Sequence, residues 1–84
     1  MLTTAQLDAL REQLRQTQCG KCYYCKAKLA GGGDIEHMTP LARGGTNMKR
    51  NLVLACFQCN REKHAKTVDE YRLWRQKCGM PVRF

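Results

Sequence analysis

Apolar residues recur along the first part of the chain at Leu7, Leu10 and Leu14, three and four positions apart, with Arg11, Glu12 and Arg15 off that stripe. The spacing predicts an amphipathic helix, capped by Thr4 and running to about Gln16, laid with its leucine stripe against the rest of the domain. The pattern breaks at Gly31-Gly32-Gly33, which predicts a flexible turn; without a following Gly-Lys-Ser/Thr it is not a phosphate loop. A short strand is expected from Ile35 to Thr39, ended by Pro40. A second is expected from Asn51 to Ala55, rich in Leu and Val, with the basic connection Arg43-Gly44-Gly45-Thr46 between them. Residues Phe57 to about Lys66 favour a helix. Thr67-Val68-Asp69-Glu70 has the form of a capping box opening a last helix that ends near Gly79. Tyr71 and Trp74 share a face of that helix, where core packing is the default role and base stacking the minor one.

A chain of 84 residues allows one domain and a small apolar core, so an additional cross-link is expected. The start, Met1 to Gln6, has no apolar run of signal-peptide length, and no stretch is long enough to cross a bilayer. A cytoplasmic chain is therefore expected, and there paired Cys-x-x-Cys motifs point to metal more than to disulfides. The formal charge of +8 suits a polyanionic partner such as nucleic acid, although a small solvated domain can be basic without one.

Cys22-Tyr-Tyr-Cys25 and Cys56-Phe-Gln-Cys59 form two knuckles of the kind that close a tetrahedral zinc site. Cys19-Gly20-Lys21-Cys22 offers the same spacing, so the first knuckle could use Cys19; Cys22 with Cys25 is the preferred pair, leaving Cys19 and Cys78 as spare thiols. The run Cys19, Cys22, Cys25 lacks the fourth cysteine and Cys-Pro of a ferredoxin cluster. Between and after the knuckles lie Glu36, His37, Asn60 and His64, ligand-type residues that a four-cysteine zinc site does not use. Asn60 and His64 are four apart, hence on one helical face, whereas Glu36 and His37 on an ideal strand would point to opposite faces unless the strand ends or bulges at His37. Either histidine alone would be read as a surface residue; their joint placement around two knuckles favours a reactive site.

At these residues the chain resembles the HNH nuclease family, with its ββα-metal fold. The resemblance runs from Cys22 to about Lys66. It covers the first Cys-x-x-Cys, then Asp34-Ile35-Glu36-His37, Pro40-Leu41 and Arg43-Gly44-Gly45, and continues through Asn51-Leu52, Cys56-x-x-Cys59-Asn60 and Lys63. It implies an α+β fold: a zinc-braced ββα core over residues 19–66, flanked by an N-terminal helix in 1–18 and a C-terminal helix and tail in 67–84. It further implies that His37 is the general base, that Asn51 orients its ring, and that Glu36, Asn60 and His64 hold a catalytic divalent ion. The family more often has Asp where Glu36 stands, and Asp34, two residues earlier on the same strand face, competes for that role. His64 is present in only some branches.

The implied activity is hydrolysis of DNA by an endonuclease or nickase with little sequence choice. A neutral imidazole suits a general base near neutral pH, and a cation offsets charge developing on phosphate. Oxygen ligands suit Mg²⁺ or Mn²⁺, while His64 would shift preference toward Mn²⁺, Ni²⁺ or Zn²⁺. Arg43, Lys49, Arg50, Arg61, Lys63 and Lys66 are the candidate DNA contacts, with a solvated basic face as their ordinary alternative. The rival readings are a zinc-ribbon nucleic-acid binder or adaptor without turnover, and a nuclease active only with a phage packaging or restriction partner. Whether two copies pair as a homodimer stays open.

Overall fold

The computed structural model describes residues 3–84, an α+β arrangement of three helices and one two-stranded antiparallel sheet. Met1 and Leu2, which begin the region assigned to the N-terminal helix, lie outside the described residues. Helix α1 spans Thr4–Thr17 and its cap is Thr3 rather than Thr4: the Thr3 hydroxyl accepts from the backbone of Gln6, whose side chain accepts from Thr3 N in return. Leu10 and Leu14 face the core as the stripe requires, and Leu7 sits at the rim of a groove.

Strand β1, Asp34–His37, pairs with β2, Leu52–Ala55, in the register Asp34 to Ala55 and His37 to Leu52. All four residues of β2 are buried. On its far side the Gln18 carboxamide donates to Leu54 O at 2.9 Å and accepts from Leu54 N at 2.8 Å, and Tyr23 N also donates to Leu54 O. A side chain thus substitutes for a third strand. The glycine turn is held as well, because Arg11 donates to Gly33 O at 2.7 Å and Arg15 to Gly31 O at 2.9 Å. Those two arginines lie off the leucine stripe because they tie the helix to this turn.

The link between strands folds back tightly. A Cβ at Gly45 would stand 1.8 Å from Thr39 O, so no side chain fits, and Gly44 adopts φ +88°. Asn51 locks the two ends, accepting from Thr39 N and donating to Thr39 O and Thr46 O at 2.7 to 2.9 Å. Both strands are shorter than expected: β1 stops at His37 as the chain turns toward Pro40, and Lys49–Asn51 coil into a 3₁₀ turn before β2. Helix α2, Phe57–Lys63, ends earlier than Lys66 because His64 leaves helical geometry at φ +48°. Helix α3, Val68–Lys77, opens on the expected Thr67/Glu70 capping box.

Tyr24 and Tyr71 sit fully buried at the centre with edge-to-face rings 5.3 Å apart, and Phe84 packs on both. Arg72 and Arg75 bind the last residues by donating to Phe84 O and Pro81 O. No helix among the described residues is long and apolar enough to cross a membrane.

Candidate active site and metal centre

Two knuckles meet below the sheet. The first is a turn closed by Cys22 N donating to Ala27 O and Lys26 N to Cys22 O, with Lys26 at φ +65°; the second is the N-terminus of α2, where Cys56 is the cap. The Sγ atoms of Cys22, Cys25, Cys56 and Cys59 all lie within 4.8 Å of one another, a spacing that can hold one tetrahedral zinc ion. Backbone N–H groups aim at sulfur, Cys56 N at Cys22 Sγ (3.3 Å) and Cys59 N at Cys56 Sγ (3.4 Å), as thiolate ligands favour. Burial raises the thiols of Cys56 and Cys59; at Cys22 the same burial is outweighed by backbone N–H donors, which lower it. Cys25 completes the cluster, and Cys19 and Cys78 stand exposed outside it.

At the C-terminal end of β1, Glu36, His37, Asn60 and His64 line one cleft of about 270 Å³ with Ile35, Pro40 and Leu41. The alternation of the strand is respected: Glu36 points inward and is 6% exposed, while His37 is half-buried at the strand end, where its ring borders both this cleft and a neighbouring groove. Asp34 is exposed and outside the cleft, so Glu36 is the carboxylate at hand.

Glu36 is held on both oxygens. The Tyr24 phenol donates to Oε2 at 2.5 Å and the Lys63 ammonium to Oε1 at 2.8 Å; Lys63 also donates to His37 O at 2.9 Å. Burial, and then the facing Glu36, push the Tyr24 phenol far above its usual range, so it remains a donor. Each carboxylate oxygen retains a lone pair. Among the described residues the cysteines are the one group of three or more Cys, His, Asp or Glu side chains converging on a single point; the cleft residues share a wall without forming a second such group.

The expected contact between Asn51 and the His37 ring is not made, because the Asn51 carboxamide clamps Thr39 and Thr46. Asn47 takes that place, its Oδ1 lying 2.8 Å from His37 Nε2. A carboxamide oxygen only accepts, so Nε2 is the donor of this contact, which in a neutral ring leaves Nδ1 as the nitrogen with the free lone pair. Nothing in the sequence distinguishes Asn47 from the loop around it; it stands four positions before Asn51 without a motif of its own.

Lys63, expected at the DNA, is 0% exposed and bound to Glu36 and the His37 carbonyl; a group without solvent access does not meet a phosphate. Arg43 makes a two-pronged bridge to Glu70 at 2.8 and 3.0 Å and holds that carboxyl down at about 2. Lys49 and Arg50 are exposed on the 3₁₀ turn, Arg61 lies over the Phe57 ring, and Lys66 reaches Glu62 O and the Trp74 face.

The family model for HNH endonuclease matches residues 22–66. The chain is 34% identical over 76 residues, 88% of its length, to the CRISPR-associated endonuclease Cas9 of Actinomyces naeslundii. It is 36% identical over 58 residues, 67% of its length, to the CRISPR-associated endonuclease Cas9 of Corynebacterium diphtheriae. It spans only 7% and 5% of those two proteins. No solved structure gives a significant match. With both knuckles, the hairpin and all of α2 inside the matched segment, the chain belongs to the HNH endonuclease family.

Proposed function

We propose that this chain is a metal-dependent DNA endonuclease or nickase that cuts phosphodiester bonds with little sequence choice, using His37 as its general base. The observation that carries this reading is the shared cleft: a ring with Nε2 held by Asn47 stands beside a carboxylate and a carboxamide from two different elements. His37 Nδ1 accepts a proton from water as the water oxygen bonds to phosphorus; the bond from phosphorus to O3′ breaks, leaving 5′-phosphate and 3′-hydroxyl ends, the latter protonated by solvent. General-base help of this kind contributes about 10²–10⁴-fold.

Glu36, through the lone pair each oxygen retains beside Tyr24 and Lys63, and Asn60, through its amide oxygen, would hold a hard divalent ion, Mg²⁺ or Mn²⁺; His64 from the same cleft wall would make Mn²⁺, Ni²⁺ or Zn²⁺ acceptable. Such an ion supplies Lewis-acid stabilisation of the charge developing on phosphate. Glu36 holds its position through Tyr24 and Lys63, and Asn51 keeps the loop beside His37 closed. The four cysteines would hold a zinc ion, which would brace the hairpin against α2. Lys49, Arg50 and Arg61 attract the phosphate backbone without reading bases.

Cleavage of supercoiled plasmid tests the reading. Zinc-loaded protein with Mg²⁺ or Mn²⁺ nicks the plasmid, and His37→Ala abolishes nicking while zinc content and DNA affinity persist. Wild-type protein inert with every divalent ion would overturn it in favour of a binding module. The small fraction of the Cas9 relatives that the chain spans supports a second reading, in which cleavage is directed by a partner or by a longer polypeptide; activity appearing only when such a component is added would establish it.

A further inference from the structure

His64 borders the proposed catalytic cleft on one side and, on the other, a groove of about 510 Å³ between the end of α2 and the outer face of α3. The groove has a mixed lining. Leu73, 57% exposed, and the half-buried Trp74 form its apolar floor, while Lys66 and Lys77 stand on its walls. Its acid, Glu70, is neutralised by the two-pronged bridge to Arg43, so the uncompensated charge there is positive. Lys66 Nζ lies 5.0 Å from the centre of the Trp74 ring, and Trp74 is backed by Tyr71, whose ring stacks on it at 6.0 Å.

Apolar floor and basic wall together match one ligand class better than the others. A duplex presents phosphate and sugar outward and keeps its base faces stacked, so it brings no base face to Leu73 or to the edge of Trp74, whose ring already carries Lys66 and Tyr71. A single strand presents phosphate to lysine and unpaired bases to exposed apolar surface, here Leu73 beside the Trp74 edge. Continuity through His64 gives the strand a route out of the catalytic cleft. Resting on the nuclease reading above, we infer that the groove formed by His64, Lys66, Leu73, Trp74 and Lys77 binds the single-stranded continuation of the strand that is cut.

The test uses the zinc-loaded 84-residue chain without added catalytic ion. The probes are a fluorescent oligothymidylate of about 20 nucleotides, longer than a typical single-strand site, and a duplex of equal length. Lys66→Glu/Lys77→Glu is compared with Lys21→Glu/Lys28→Glu, an equal change of charge at two exposed lysines that bridge across the zinc knuckle and do not line the groove. The groove pair weakens oligothymidylate binding at least about tenfold more than the control pair and lowers the salt slope by about 1.4, about 0.7 for each lost phosphate contact on a single strand. Leu73→Ser, which removes an exposed side chain, weakens the single strand about threefold or more and leaves the duplex unchanged. Zinc content and circular dichroism verify that each variant is folded. Equal losses for groove and control pairs, or equal losses for duplex and single strand, overturn the inference. A wild type that cuts plasmid while groove variants bind oligothymidylate normally defeats this inference alone. A wild type that binds through the groove and never cuts defeats the nuclease reading alone.

Discussion

Lys63 brings a positive charge to a point with no solvent, where it meets the Glu36 carboxylate at 2.8 Å and the His37 carbonyl at 2.9 Å. Two charges removed from water depend on each other, and deleting one leaves the other buried and uncompensated, at a cost of about 3–5 kcal/mol. Lys63→Met should lower the unfolding free energy of the zinc-loaded protein by that amount in urea titration. Adding Glu36→Gln should restore part of the loss, since no buried charge then remains. If the double variant is no more stable than Lys63→Met, the pair is not what couples α2 to β1. Asn47 acts on a smaller scale. It holds one ring from an exposed loop, so Asn47→Ala should leave the melting temperature within a degree or two and lower the turnover number about tenfold at unchanged KM, as expected when a base loses its orientation rather than its chemistry. A matching rise in KM would mean that Asn47 contacts substrate instead.

Elements showed through the sequence where their cause is local and stayed hidden where it is not. The Thr67/Glu70 box and the Cys-x-x-Cys knuckles involve residues three apart, and both form as their spacing implies. The end of α2 was misplaced because nothing in Lys63-His64-Ala65-Lys66 announces that His64 takes φ +48°. Lys63 reads as a DNA contact in the sequence because its partner Glu36 is 27 positions away, and Asn47 is not marked out because the loop that brings it to His37 folds on a close backbone approach at Gly45, not on a periodicity. That contact is testable on its own. Gly45 has no room for a Cβ against Thr39 O and Pro40 O, both backbone atoms that cannot swing aside. Gly45→Ala should therefore displace the loop and destabilise the fold by about 1–3 kcal/mol. Gly44→Ala meets no atom within 4 Å and should cost only the strain of its φ of +88°, about 1 kcal/mol. Urea titration of the two variants separates crowding from backbone strain, and equal losses would assign the whole effect to backbone angle.

At the scale of the whole molecule, a two-stranded sheet of four-residue strands is too small to stand alone, and three short helices cover it only in part. What joins the parts is a set of cross-links. Gln18 caps the open edge of β2, Arg11 and Arg15 hold the glycine turn, and Arg72 and Arg75 draw the tail over Tyr24 and Tyr71. Each is worth on the order of 1 kcal/mol, whereas a four-thiolate zinc site in a small module contributes an apparent 10–16 kcal/mol near neutral pH, more than a domain of this size has in total. Removing the sulfur-bound ion should accordingly unfold the chain, not merely loosen the knuckles. A strong zinc chelator should abolish the near-ultraviolet dichroism of the Tyr24, Tyr71 and Trp74 cluster, with recovery on adding zinc under reducing conditions. Omitting Mg²⁺ or Mn²⁺ should leave that signal intact and stop only cleavage, because the Glu36 carboxylate is already neutralised by Lys63 and needs no second ion to stay buried. A chain that keeps its aromatic dichroism after zinc is stripped would show that the packed rings, and not the four cysteines, carry the fold.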